Sequence, residues 1–553
     1  MRFRRHLRRR LAAGAGLAAA LGLLGLLGLG GHRAAAASPD PVLPPGLPGT
    51  TTDTTTSTTT STTSDTPTST GGGSDTTASP PTPQVVRVRV RATATGARLP
   101  PGFLGFSFEF GAIHAYLGRD PRAPDPLLLQ LIRGLGQGRS PIIRIGGNSS
   151  DDSWWPLPGG LPPLGVTYAL SPDWLATVAA AARDLHARLI LGVNLAADDP
   201  RLAAVEAASL VAGIGRAHIA ALEIGNEPDL YRRFPWYTTP AGTTVTRRSG
   251  PYPFSTYRHE LRRWIGLLPG LPVAAGALAT LRWLPALVGL APRLPRVGLI
   301  TVHRYALTNC GTSPSSPTYP TVANLLSAHA TSGLAAALAP QARALHAEGL
   351  ALRVDELNSA SCEGAPGVSN TFASALWAVE VLFDLATAGV DGVNIHTLPG
   401  ALYAPFAFAE RHGRWRAQIS PLYYGLRLFA AAFPPGSRAV AVTNSLAGGD
   451  VQAFATRAPD GTVRTTIVNA DPTRPARVTL TGLRSTPLGA ETLRAPGLDA
   501  TSGVSLGGRS FADPTVTGTL PAPRRTPVAD GPHGVTLTVP AASAVLLAPA
   551  TAP

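Results

Sequence analysis

From Gln84 onward, apolar runs that end in polar residues alternate with Ala- and Leu-rich stretches of helical spacing. Eight such runs follow one another: Phe103–Phe110, Ile142–Gly147, Leu189–Asn194, Ala220–Gly225, Pro272–Ala277, Val297–His303, Ala351–Glu356 and Gly392–His396. Between them lie segments such as Pro172–Ala187, Pro200–Gly213 and Ser369–Gly389, whose apolar positions recur at helical intervals. Continuous apolar strands alternating with helices predict a parallel sheet covered by those helices. Eight units predict an α/β fold of the (β/α)8 barrel type.

Past Phe433 the period changes. Arg438–Thr443, Val451–Thr456, Val463–Asn469, Arg477–Leu480, Val535–Val539 and Ala544–Ala548 are short runs, several of them alternating, between Gly-, Pro- and Asp-containing turns. They predict a C-terminal β-sandwich. Val85–Ala92 also alternates strictly, and its pattern suits a strand of the same sandwich placed before the barrel. The expected boundaries are a barrel over 84–433, with 84–92 as a candidate sandwich strand, and a sandwich over 434–553.

The segment before the barrel follows other rules. Arg8, Arg9 and Arg10 precede an apolar run, Leu11–Gly30, and then the small residues Ala34–Ala37. Residues 1–37 therefore read as a signal peptide or a membrane anchor. Residues 38–83 contain the Ser/Thr/Pro-rich tract Thr50–Pro83, which has almost nothing apolar to bury and reads as a disordered linker. The expectation is an exported protein, either secreted or tethered to the outer face of the membrane through its N-terminal segment.

Composition changes one part of this picture. The formal charge is +14, but seven of the 47 basic residues and none of the acidic ones lie in the leader, so half of the excess belongs to targeting. The remainder is scattered arginine, because the chain has no lysine. Nucleic-acid binding needs clustered cations with interleaved aromatics and is not expected. The histidines outside the strand ends show no paired ligand spacing, so neither a metal nor another cofactor is expected.

In a barrel the reactive groups lie at the C-terminal ends of the strands. Here those ends are polar: Ser107-Phe108-Glu109, Arg144-Ile145-Gly146-Gly147-Asn148-Ser149-Ser150-Asp151, Glu223-Ile224-Gly225-Asn226-Glu227-Pro228-Asp229, His303-Arg304-Tyr305, Asp355-Glu356-Leu357-Asn358-Ser359 and Asn394-Ile395-His396. Glu227, after strand four, and Glu356, after strand seven, can converge across the barrel mouth. Glycoside hydrolysis needs such a pair: one carboxyl protonates the leaving oxygen, and the other attacks the anomeric carbon or activates water. The carbohydrate is the expected partner. Arg232, Arg233, Arg247 and Arg248, in the loop after Glu227, would suit an acidic glycan.

Asn226-Glu227-Pro228 together with Glu356 resembles the clan A retaining glycosidases. The four motifs in order, Gly105-Phe106-Ser107-Phe108-Glu109, Arg144 to Asp151, Glu223 to Asp229 and Asp355 to Ser359, resemble glycoside hydrolase family 79 more closely. That family contains β-glucuronidases and heparanase-like endo-β-glucuronidases. The resemblance runs from about Val85 to the C-terminus. It implies Glu227 as acid/base, Glu356 as nucleophile and Asn226 on the sugar 2-hydroxyl. It places Tyr305 on the nucleophile, with His303 beside it. It implies that Glu109, Asn148 and Asp151 bind sugar hydroxyls at the pocket floor, and that Tyr403 touches a uronate carboxylate. A β-xylosidase or β-glucosidase specificity uses the same two carboxylates, and an inactive surface glycan-binding protein is the alternative from another class. Cys310 and Cys362 follow strands six and seven, and in an exported protein they are expected to form a disulfide on the catalytic face.

Overall fold

The computed structural model describes residues 81–136, 140–446, 448–483 and 487–550. The leader and nearly all of the linker expected before the barrel lie outside the described residues. Among the described residues no helix is long and apolar enough to cross a membrane.

Eight parallel strands close into a barrel: Leu104–Glu109, Ile142–Gly146, Arg188–Val193, Ile219–Ile224, Val273–Leu278, Val297–Thr308, Ala351–Ser361 and Gly392–Thr397. They are called strands one to eight below. Each corresponds to one of the eight apolar runs. Strand eight pairs with strand one from Val393↔Leu104 to Thr397↔Phe108, which closes the ring. The helices between them carry their own start signals. Ser171 caps Pro172–Leu185 and Asp199 caps Pro200–Ile214, each with proline in the first turn, where a missing N–H is harmless.

Strands six and seven run past the expected ends, to Thr308 and Ser361. Their extensions pair with each other, and His303 lies directly opposite Glu356. Glu356 is therefore inside its strand, not beyond it. A two-stranded hairpin, Phe406–Arg411 with Arg414–Ile419, follows strand eight and has no counterpart in the sequence reading.

Apart from two short two-stranded sheets in the loops after strands two and four, the remaining described strands form one continuous 11-stranded sheet. Gln84–Arg98 lies inside it, parallel to Ala476–Thr481 and antiparallel to Arg438–Asn444. The sheet curls around a single apolar core to which Val86, Val88, Val478, Val539 and Val545 all contribute, so its two halves face each other as a sandwich. The period of two sorts the faces. Ile467, Val545 and Leu547 point into that core, while Val468, Ala544 and Leu546 point the other way and join the core of the barrel.

Candidate active site

Strand four delivers its carboxylate through a tight turn. Gly225 (φ +74) and Glu227 (φ +52) both adopt left-handed backbone, and the Glu227 N–H donates to the Ala277 carbonyl at 2.9 Å. A left-handed glutamate costs about 1–2 kcal/mol. Strands four and five hold it there, and Glu227 Oε1 meets His303 Nδ1 at 2.8 Å. One oxygen of Glu227 and one of Glu356 lie within 4.8 Å of each other, and a ring nitrogen of His303 lies within that distance of both.

Glu356 is almost fully enclosed. The Tyr305 hydroxyl donates to its Oε2 at 2.9 Å, and Arg144 Nη1 donates to its Oε1 at 2.6 Å. His303 Nδ1 and His396 Nδ1 stand 3.6 and 3.7 Å from its two oxygens. Burial works against its charge. The nearby His303, His396 and Arg144 and the Tyr305 hydroxyl outweigh burial and hold the carboxyl well below the usual range. It is therefore ionised near neutral pH. Burial also works against a charge on His303, but Glu356 and the hydrogen bond to Glu227 push it up to about 9. His303 and Tyr305 are two residues apart on strand six, so the period of the strand aims both at the same carboxylate.

Asn226 is buried beside Glu227. Its Oδ1 accepts from Arg144 Nη2 at 2.9 Å, and its Nδ2 donates to Asn148 Oδ1 at 3.1 Å. Asn148 is exposed at the mouth. Glu109 reaches the same wall from strand one and accepts from the backbone N–H groups of Asn148 and Ser149. A Cβ on Gly147 would fall 2.0 Å from a Glu109 oxygen, and its φ of +75 also selects glycine there. Tyr403 is buried in the wall between Tyr305 and His396, with ring centroids 6.1 and 6.0 Å away. The bond between Cys310 and Cys362 is present, and Leu402 N–H donates to Glu363 O at 2.8 Å. The loops after strands six, seven and eight are thereby tied into one wall.

Asp151 is a correction. It is fully buried, and both oxygens are occupied. Oδ1 accepts from Leu195 and Ala196 N–H, and Oδ2 from Asn226 N–H, the Tyr231 hydroxyl and Arg247. No lone pair is left for a sugar hydroxyl. Asp151 instead fixes the backbone of Asn226. Arg247 also bonds Asn148, and Arg248 bonds Glu260 and three backbone carbonyls. Both arginines are therefore struts, which leaves Arg232 and Arg233 exposed in that loop.

The sequence reading assigned no role to Arg144, Glu223, Asp355 or His396. The signal was present for the first three, because each interrupts an apolar strand with a charge. A charge in a buried strand position requires a partner. Two groups of three, Glu109 with Glu356 and His396, and Glu227 with His303 and Glu356, are close enough to enclose an ion. Arg144 and protonated His303 already supply positive charge at these carboxylates, so the donor set does not suit a metal.

No protein-family model matches the chain. It is similar to a β-glucuronidase of Aspergillus niger, 27% identical over 397 residues that cover 66% of this chain and 71% of the relative. It is similar to a β-glucuronidase of Neurospora crassa, 24% identical over 398 residues, covering 64% and 67%. These relatives bear out the resemblance read from the four motifs. Among solved structures, a 4-O-α-L-rhamnosyl-β-D-glucuronidase from Fusarium oxysporum superposes with a TM-score of 0.64 at 19% identity, covering 84% of this chain and all of that one. A family 51 arabinofuranosidase from Xanthomonas axonopodis pv. citri superposes with a TM-score of 0.58 at 16% identity, covering 84% and 99%. The structural likenesses show the shared barrel and sheet.

Proposed function

We propose that this chain is an exported retaining glycoside hydrolase of the β-glucuronidase type, acting by double displacement at Glu227 and Glu356. The separation of the two carboxylates carries the reading. Retaining enzymes hold them about 5–5.5 Å apart, whereas inverting enzymes leave about 6.5–9.5 Å for a water. Here one oxygen of each carboxyl lies within 4.8 Å of the other, and His303 Nδ1 stands 2.8 Å from Glu227 and 3.6 Å from Glu356, a close approach that supports the shorter, retaining arrangement. In the first step a Glu356 oxygen bonds to the anomeric carbon, and the leaving oxygen takes a proton from Glu227. In the second step Glu227 takes a proton from water, the water oxygen bonds to the anomeric carbon, and Glu356 leaves as carboxylate. Asn226, held by Arg144 and Asn148, faces the 2-hydroxyl. Glu109 and Asn148 line the floor.

Two features support a glucuronide over a xyloside or glucoside. The curated relatives are β-glucuronidases, and Tyr403, which the family resemblance assigns to the uronate carboxylate, lies in the pocket wall beside Tyr305 and His396. An acidic glycan on the leaving-group side is supported by Arg232, Arg233 and Arg282, which line an open cleft of about 700 Å³ beside Pro228 and Asp229. Export, and attachment to the cell envelope through residues 1–83, rest on the leader and the linker composition.

A panel of aryl β-glycosides tests the substrate, with the glucuronide expected to be hydrolysed fastest. Anomeric NMR during early hydrolysis tests the mechanism. The β-product should form first, and α-product forming first overturns double displacement.

A further inference from the structure

Beneath the catalytic carboxylates lies a second pair. Glu223 on strand four and Asp355 on strand seven are both fully buried in the barrel. Arg144 Nε lies 2.7 Å from Glu223 Oε2 and 3.3 Å from Asp355 Oδ2, while Nη1 of the same guanidinium holds Glu356. His303 Nε2 faces Asp355 Oδ1 at 3.6 Å. Arg353, on the same strand as Asp355, spends its N–H groups on Asn394 and on the carbonyls of Gly102, Phe103 and Val393.

The hydrogen bonds separate the two groups. Glu223 accepts from Arg144 at 2.7 Å and from the Thr301 hydroxyl at 2.7 Å. Asp355 accepts from no donor at either oxygen. Glu223 meets the same guanidinium nitrogen, so the two carboxyls are neighbours, and Glu223 is itself an acceptor. Two ionised carboxylates side by side repel, and neither has an N–H or O–H to offer. A proton on Asp355 supplies the missing donor.

We propose that Glu223 and Asp355 share one proton in the resting protein, with Asp355 the donor, and that this pair positions Arg144 for the nucleophile. The idea rests on the double-displacement reading for its purpose. A pair with one negative charge engages Arg144 through Nε and leaves Nη1 to Glu356. It also presents neutral Asp355 to His303, which bonds Glu227 through its other nitrogen. Burial and the Glu223 charge push the Asp355 carboxyl far up. Glu223 stays low, because Arg144 and the bond from Asp355 outweigh its burial.

The net charge of the pair decides the test. If one proton is shared, Asp355→Asn or Glu223→Gln alone leaves one negative charge, and the pH profile of kcat/KM should keep both limbs in place. The double variant removes that charge next to His303 and Arg144. Its alkaline limb should fall by about one unit, a tenfold change in proton affinity. Shifts in each single variant that add in the double would show two ionised carboxylates and overturn the proposal. Infrared difference spectra test the same point without substrate. At about pH 10, above the range in which Glu206 and Glu380 lose their protons, the unsubstituted protein should show a protonated-carboxyl band that either single variant lacks, and absence of that band sinks the idea. Failure to hydrolyse any glycoside would remove the glycosidase reading and leave the infrared result to decide this one.

Discussion

Glu356 and Glu227 differ in surroundings as much as in position. Glu356 is held ionised by cations and a hydroxyl. Glu356→Gln should fold normally and abolish turnover. Near-normal rates from a correctly folded variant would remove it from the nucleophile role. Glu227 meets His303, and in the proposed double displacement it delivers the proton, a contribution of about 10²–10⁴-fold. Glu227→Ala should lose that much on substrates with poor leaving groups and far less on activated aryl glycosides. Azide should restore turnover of the activated substrates and give a β-glycosyl azide. An absence of azide adduct removes the acid/base assignment. Both glutamates were legible in the sequence because each lies in a polar run that follows an apolar one. Asp151 was misread for a related reason. Its place in the polar run after strand two resembles that of a pocket residue, but the sequence does not reveal that five donors from three segments converge on it.

At the scale of elements, the eight barrel strands were readable because each is a continuous apolar run, and strands buried on both faces have no other pattern. Leu488–Arg494 was not. Its large apolar residues, Leu488 and Leu493, fall five apart, and between them Glu491 is buried in an ion pair with Arg509. Helices also bury charge, with a consequence for pH. Glu206, on Pro200–Ile214, accepts from the Ser153 hydroxyl at 2.7 Å and from Asn194 N–H at 3.1 Å. Burial pushes it up to about 8 despite both bonds. Glu380, on Phe372–Thr387, rises to about 8 through burial and the nearby Asp384 and Asp450. The folded state therefore keeps these protons where the unfolded chain, near pH 4.3, has lost them. Their contribution is complete below that value and is lost as pH rises towards 8, by about 1.4 kcal/mol per pH unit for each group. His303 acts in the same direction from about 6.5 to 9. Thermal stability should decline from mildly acidic to alkaline pH. Glu206→Gln should melt close to the unsubstituted protein at the acid end and above it at the alkaline end. Parallel melting curves across that range would contradict the buried-proton account.

For the molecule as a whole, the question is what the sheet contributes to a site that it does not touch. The helix Phe372–Thr387 follows the strand that carries Glu356, and its N-cap Thr371 makes no side-chain capping bond. Its first N–H groups are instead satisfied from the sheet side of the chain: Phe372 N–H donates to Ala500 O at 2.8 Å, and Ala373 N–H to Leu498 O at 2.9 Å. Buried helix N–H groups without such partners are costly. Further along the same helix, Phe383 stacks on Phe454 of the sheet with centroids 4.6 Å apart and planes 7° apart, while its edge meets Phe429 of the last barrel helix. The strand Gln84–Arg98 binds the two parts from the other end, since it enters the sheet before the chain enters the barrel. Cap, shared aromatic core and interleaved connectivity make the barrel and the sheet one cooperative unit, with strand seven near the join. Phe383→Ala should then cost about 3–5 kcal/mol. It should lower a single unfolding transition, seen alike by far-ultraviolet signal and by loss of turnover. Deleting residues 84–98 would expose two facing sheet edges and should yield no soluble, active barrel. Two separate calorimetric transitions, with only the sheet's transition moved by Phe383→Ala, would show that the domains fold independently and that the sheet does not support the strand carrying Glu356.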